Sequence, residues 1–415
     1  MNSSSTACAI IGGGAAGIGA ARRLADLGHD CVILEARGRL GGRAHTAPSP
    51  YGPLDLGCGW LHSADRNLLV DEARRAGFTV DQRRPAWGSQ WRALGFPAAD
   101  QAAFRAESDA FYARLEAAAL REPDRPAADF LAPGGRWNPL IDAIATYING
   151  AELAQVSTRD YGRYLDTGEN WRVLEGYGAM IERLGAGLPT VADCPVERVD
   201  HGGATLRITT PKGVLEARTA IVTLSTAVLA AEAVRFDPPL PDKVRAAHDL
   251  PLGVADKLFL SVAPEADLPA DQHLFGATDR VATASFHIRP FGRPVIECFV
   301  GGAFASALED GGKAAFADHA IEALAALLGS SIRPHLAPIV ATAWRRDPLA
   351  GGSYSHALPG CADARAALAA PVDGRLFFAG EACHREFFST AHGAFMTGVS
   401  AADAVHESLA VAQGR

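Results

Sequence analysis

The sequence predicts an α/β protein: a Rossmann-type nucleotide-binding domain interleaved with an α+β domain built on a mixed sheet with flanking helices. Three observations predict it. A strand, a glycine-rich turn and a helix open the chain at Ala7–Leu27. An Ala-, Arg- and Glu-rich stretch of helical spacing, broken by Pro123, Pro126 and Pro133, fills residues 87–179. Strand-like runs and one helical run then occupy Leu250 to about Val340, and the remainder returns to the pattern of the opening.

The elements follow in order. Ala7 to Ile11 is a short apolar run of the kind that forms a buried parallel strand. Gly12, Gly14 and Gly17 supply G-x-G-x-x-G: a tight turn, close backbone approach to a pyrophosphate, and close packing of helix on sheet. The helix, Ala15 to about Leu27 with Ala16 in its first turn, offers its positive end and free N–H groups to an anion. Gly28 stops it, and Asp30 to Leu34 is the second strand. Glu35 follows, 18 residues after Gly17, where a carboxylate accepts ribose hydroxyls and repels a 2′-phosphate. A glycine-rich helix entry without ligand is the alternative, and the strand, helix and acid at these spacings disfavour it.

Farther on, a helix from Met180 leads into "CPVERVDHGGATLRITTPKGVLEARTAIVTLS", whose alternation and Pro211-Lys212-Gly213 turn predict strands and a hairpin. "DKLFLSV" and "PVIECFV" read as strands and "AAFADHAIEALAALLG" as a helix. A chain of 415 residues, 48% hydrophobic, can bury a large core in two domains. Net charge −8 argues against nucleic acid as a partner. Seven cysteines without a C-x-x-C pair point to a reducing compartment. No basic leader precedes the first strand and no run of 18 apolar residues occurs, so the expectation is a cytoplasmic protein without a membrane partner. The 13 histidines form no metal-ligand pattern, and no metal is expected.

"LEARGRLGGRAHT" narrows the dinucleotide to FAD. After Glu35, Ala36 and Arg37, a second glycine pair, Gly41 and Gly42, precedes Arg43, a cation placed to meet pyrophosphate oxygens. This run resembles the flavin-containing amine oxidase family, which includes monoamine oxidases, polyamine and spermine oxidases and lysine-specific histone demethylases. The resemblance implies a discontinuous FAD-binding domain (1–86, 180–249 and 341–415) and a substrate-binding domain (87–179 and 250–340).

It also implies roles for particular residues. "DLGCGWLHSADRNLL" is similar to the segment that passes the flavin face in polyamine and spermine oxidases, with Gly57, Gly59 and Trp60 at the cofactor and His62 at the catalytic cavity. Val196 would hold the adenine through its backbone. Lys257 would be the catalytic lysine that holds a water at flavin N5, with a lowered pKa from burial; an edge-strand lysine reaching water is the alternative. Trp344 would pack on the isoalloxazine and Tyr354 would form one wall of an amine-guiding aromatic cage. Ser353 stands where monoamine oxidases carry the cysteine bonded to flavin, so the FAD is expected to be noncovalent. Gly380 and Glu381 match the ribose–pyrophosphate contact. Thr390 and Ala391 lead into a helix whose N-terminus would face the flavin N1–C2=O edge, and Thr390 replaces the second cage tyrosine. Glu169 is the carboxylate expected at the substrate, with Asp166 and Glu175 as alternatives.

The expected function is oxidation of an amine, polyamine-like in preference, to an imine and then an aldehyde, with O2 reduced to hydrogen peroxide. Aromatic or alkaloid amines are competing substrates. The competing classes are an amine dehydrogenase, an amino-acid oxidase using Arg163 or Arg172 as a carboxylate clamp, a desaturase or protoporphyrinogen-type oxidase, and a non-catalytic FAD-binding protein. Oligomeric state, monomer or homodimer, is left open.

Overall fold

A computed structural model describes residues 5–121 and 123–413 of the chain. β1 (Ser5–Ile11) lies inside an eight-stranded sheet, as its buried run Ala7–Ile11 requires. It is followed by α1 (Ala15–Asp26) and by β2 (Cys31–Leu34), which pairs with it in parallel. α1 ends one residue earlier than the pattern predicts, with Gly28 in the left-handed region at φ +76. β2 begins one residue late because the Asp30 carboxylate accepts hydrogen bonds from Ala7 N and Thr6 Oγ1, both at 2.9 Å.

On the other side of β1 runs Gly213–Val222, also parallel. Its first half pairs antiparallel with Leu206–Thr210 through the predicted hairpin, and its second half pairs in parallel with Leu376–Phe378. Thr190–Val191 extends the β2 edge, and Arg198–Asp200 and Arg235–Asp237 the far edge.

α2 (Ala98–Ala119) and the helix Asn138–Asn149 come from the helical stretch. α2 turns Phe104, Ser108, Tyr112 and Leu115 toward one cavity, a spacing of four, four and three residues that keeps them on one helix face.

The second sheet is antiparallel, in the order Gln272–Phe275, β4 (Ser285–Ile288), β5 (Val295–Gly301), β3 (Ala255–Val262), Leu336–Ala341. Alternation gives it two different faces. Leu258, Leu260, Ile296, Cys298 and Val300 pack with Phe316 and Leu324 of α3 (Gly302–Leu328). Lys257, Glu297, Phe299, Ser285 and His287 face the cavity. α3 is longer than predicted: its first ten residues precede a break at Gly312, where the Gly311-Gly312 pair interrupts the helical pattern.

α4 (Ala391–Gln413) returns to pack on α1. The two helices approach closely at glycines: a Cβ on Gly19 would lie 2.6 Å from the Phe395 carbonyl oxygen, and one on Gly398 would lie 2.0 Å from that of Ala16. Among the described residues no helix is long and apolar enough to cross a membrane.

Candidate active site

One cavity of about 1160 Å³ runs from the C-terminal ends of β1 and β2 to α2. That volume exceeds an ordinary small-molecule pocket and suits a dinucleotide plus a substrate.

At the nucleotide end, Gly12 turns the chain at φ +107, a conformation L side chains rarely adopt, and a Cβ there would strike Thr223 Oγ1. Gly14 faces open space at the N-terminus of α1, leaving that helix end free to meet an anion. Gly17 does not line the cavity; its missing Cβ lets the helix sit on the Gly12 carbonyl, 2.0 Å from where a Cβ would be. Glu35 is buried, and its carboxylate accepts from Gly13 N at 2.6 Å and Arg37 N at 2.7 Å. Arg37 is held bidentate by Asp347. Ala16, Ala36, Gly42, Val196, Gly380 and Ala391 also line this part, as do Gly57, Trp60 and Trp344.

Arg43 reaches the middle of the cavity, where it donates to the Ser353 carbonyl at 2.8 Å and to Glu381 Oε1 at 2.9 Å. Glu381 Oε2 accepts from Ser355 Oγ and from Ser389 N. Burial pushes the Glu381 carboxyl up, but Arg43, Ser355 and Arg365 outweigh it and hold the group below the usual carboxylate range. Glu381 is thus an ionised strut that aims Arg43. These features fit FAD: a glycine cradle, a helix N-terminus, a ribose-side carboxylate and a positioned guanidinium share one cavity wall.

Next to them stands Lys257. Its Nζ is 2.9 Å from Glu297 Oε1 and donates to the Asp55 carbonyl oxygen at 2.9 Å. A Cβ on Gly59 would come within 3.3 Å of that Nζ, so glycine there gives the lysine room. Sequence reasoning treated Lys257 as a lone buried amine and missed Glu297. The signal was present: a glutamate interrupts "PVIECFV" as the lysine interrupts "DKLFLSV".

His62 lines the same space. Its Nδ1 is 2.6 Å from Asn170 Oδ1, and Asn170 Nδ2 donates to the Gly168 carbonyl. That second bond fixes which end of the amide faces the ring, so Nδ1 carries the proton and Nε2 is the acceptor. Burial pushes the His62 pKa down, keeping the ring neutral at neutral pH.

Tyr354 lines the cavity and donates its hydroxyl to the Tyr147 carbonyl; burial pushes its phenol up. Thr390 also lines it, but its hydroxyl accepts from Gly393 N at 3.0 Å and caps α4. Ser353 offers a hydroxyl hydrogen-bonded to the backbone of Ala255, with no thiol for a covalent flavin link. Beyond these residues lies a chamber walled by Tyr112, Tyr147, Tyr161, Tyr164, Phe104 and Ile144, none of which the sequence reading singled out.

The carboxylates need a correction. Glu169 does not line the cavity; the chain there is tied back through its carbonyl, which accepts from Ala64 N. Glu175 accepts from Thr79 N and also lies outside the lining. Asp166 does line it, at an exposed position, as does Glu116 of α2. Neither Arg163, paired with Asp363, nor Arg172, paired with Asp81 and Asp271, lines the cavity, so neither is placed as a carboxylate clamp.

Comparison with known proteins accords with this geometry. The family described as flavin containing amine oxidoreductase matches residues 15–143 and 127–406. Polyamine oxidase 4 of Oryza sativa subsp. japonica is 25% identical over 449 residues, covering 98% of this chain and 89% of that protein. Polyamine oxidase 2 of Arabidopsis thaliana is 27% identical over 439 residues, covering 97% and 88%. The structure of cyclohexylamine oxidase from Brevibacterium oxydans IH-35A superposes with a TM-score of 0.76 at 19% identity over 98% of this chain and 99% of that one, a likeness of fold.

Proposed function

The chain belongs to the flavin containing amine oxidoreductase family, an FAD enzyme that oxidises an amine, and on that premise we propose that its substrate is a polyamine-type amine and its electron acceptor O2. The supporting observation is the lining of the cavity: Lys257 and His62, the tyrosines Tyr112, Tyr147, Tyr161 and Tyr164, and the exposed carboxylates Asp166 and Glu116 share it. Carboxylates there attract a polycation, and tyrosine faces favour an alkylammonium chain.

Held by Gly12, Gly14, Glu35 and Arg43, FAD would supply the acceptor for the hydride equivalent. The protein supplies the rest. Asp166 and Glu116 hold distal ammonium groups, and the chamber orients the chain. His62 Nε2 accepts a proton from the reacting ammonium, so that the amine is neutral beside the ring. Tyr354 packs against the amine, and Lys257 offers a fixed N–H donor at the reacting end. With water and O2, a secondary amine gives an aldehyde, a shorter amine and hydrogen peroxide, a balanced sum. The flavin is held noncovalently.

The apolar part of the wall, with Phe104, Leu115, Ile144, Ile148 and Phe388, favours a second reading, a bulky monoamine. Anaerobic mixing of the yellow protein with spermidine, spermine, acetylated polyamines, putrescine, benzylamine and a cyclic amine decides between them. Bleaching by a polyamine, followed on admission of air by return of colour and hydrogen peroxide, is the expected result. Bleaching only by apolar monoamines selects the second reading. Reduced protein that stays colourless in air overturns O2 as acceptor, and flavin released by acid precipitation checks the noncovalent link.

A further inference from the structure

Lys257 is not alone on its sheet face. Register places His287 of β4 directly opposite Glu297 of β5, and Lys257 of β3 opposite Phe299, so Lys257 and Glu297 are diagonal neighbours on the cavity side. Two of the three N–H directions of a tetrahedral ammonium are taken, by Glu297 Oε1 and the Asp55 carbonyl. The third direction is then fixed by geometry, and Lys257 lines the cavity. We propose that Glu297 is a positioning residue for the reaction: it holds Lys257 as a charged ammonium and aims its remaining N–H, so that Lys257 works as a fixed donor and not as a base.

The surroundings support this. Lys257 is 8% exposed and Glu297 19%, so neither charge is satisfied by bulk water. Burial pushes the Glu297 carboxyl up, but Lys257, His287 and Arg172 outweigh it and keep it below the ordinary range, as an ion pair requires. The other groups facing the pair are Asp55 and Cys58 from the flavin-side segment and, behind His287, Asp271, 3.5 Å from its Nε2. Asp55 is already committed through its carboxylate to Thr46, Tyr177 N and Gly178 N, so it does not replace Glu297 as partner. The inference rests on the reading that Lys257 acts at the reacting end of the flavin.

The test uses flavin-loaded Glu297→Gln, Lys257→Met and the double variant. Absorbance of the oxidised flavin is followed from neutral to alkaline pH, and reoxidation by O2 is followed by stopped flow. Glu297→Gln is expected to add an alkaline spectral transition that the native and double-variant proteins lack. Above it, reoxidation should slow on the order of tenfold while KM for the amine changes less than about threefold, because removing one partner of a buried pair leaves the other free to lose its charge. A pH profile that superimposes on the native one overturns the proposal. So does a raised KM with unchanged reoxidation, which would make Glu297 a substrate contact. If Lys257→Met alone changes neither spectrum nor reoxidation, the underlying reading of Lys257 fails, and the role of Glu297 with it. Should Glu297→Gln not fold while the double variant does, the unpaired lysine is the cause and the pairing is supported; if neither folds, it is overturned.

Discussion

Asp256 is buried carboxyl to carboxyl against Glu309, on the side of β3 opposite to Lys257. Asp256 Oδ1 accepts from Thr342 Oγ1 at 2.6 Å and from Trp344 N at 3.2 Å, which ties the pair to a residue lining the flavin cavity. Glu309 Oε1 accepts from Arg345 N, and Arg345 Nε lies 3.3 Å from its Oε2.

Burial, with Glu309 adding to it, pushes the Asp256 carboxyl up to about 7 from an ordinary value of 3.8. Over that window the folded chain holds a proton that the unfolded chain has released. Its contribution to stability is therefore complete below about pH 4, falls as pH rises toward 7, and is gone above. Asp256→Asn keeps the acceptor for Thr342 and Trp344 and presents an N–H to Glu309 at every pH. The variant is expected to unfold at a higher temperature than the native protein above pH 7, on the order of 1–2 kcal/mol more stable, and to lose the slope below it. Melting temperature against pH for both proteins checks this, and parallel curves would sink it.

The His62–Asn170 contact makes a second prediction. Asn170 fixes the proton on Nδ1, and burial keeps the ring neutral, so flavin reduction should be independent of His62 titration at neutral pH. Asn170→Asp places a carboxylate at the same point and raises the histidine. The acid limb of the reduction rate should move upward by about one pH unit, as a nearby opposite charge requires. Asn170→Ala, which frees the ring to flip its tautomer, should slow reduction on the order of tenfold. An acid limb that stays in place in Asn170→Asp would rule out His62 as the proton acceptor.

What the sequence disclosed follows from how local each signal is. The Gly12–Gly14–Gly17 turn, Glu35 and Arg43 lie within a single short run, and the glycine cradle of the nucleotide end could be read there, while Val196, Gly380 and Glu381 join it from distant segments. Lys257 was visible as a charge in an apolar strand, but its pairing with Glu297 depends on strand order, since β5 reaches β3 without any sequence mark of its register. The tyrosine chamber was invisible for a similar reason: Tyr112, Tyr147, Tyr161 and Tyr164 come from different helices and loops, and only packing collects them. Glu169 was misplaced because carboxylates in a loop give no indication of which one turns inward.

Glu381 supports a third prediction. It meets Arg43 and Ser355, and Ser355 Oγ in turn accepts from Arg365, whose pair with Asp160 is buried to 1% on both sides. Removing Glu381 leaves Arg43 unaimed and adds unbalanced charge beside Arg365. Glu381→Ala should destabilise the protein by about 3–5 kcal/mol, the usual cost of breaking a buried pair from one side, and weaken FAD retention by at least about tenfold. Glu381→Gln, which keeps an acceptor, should lose less. Flavin fluorescence after gel filtration, with denaturant midpoints, measures both; full FAD retention by Glu381→Ala would contradict the strut.

Asp166 and Glu116 carry the last prediction. Both are exposed, so water and salt weaken their pull on a distal ammonium, and each interaction amounts to about 0.2–1 kcal/mol. Asp166→Asn and Glu116→Gln should each raise KM for spermidine by roughly 1.5- to 5-fold, and Asp166→Asn should in addition move the acid limb of the reduction rate downward, because the Asp166 charge also raises the His62 pKa. Benzylamine, which has no distal charge, should show no change in KM. The effect should shrink with added salt, since at about 0.15 M ionic strength screening sets in within about 8 Å. An equal KM increase for spermidine and benzylamine would point to a change in cavity shape, and the charges would then have no part in selecting the substrate.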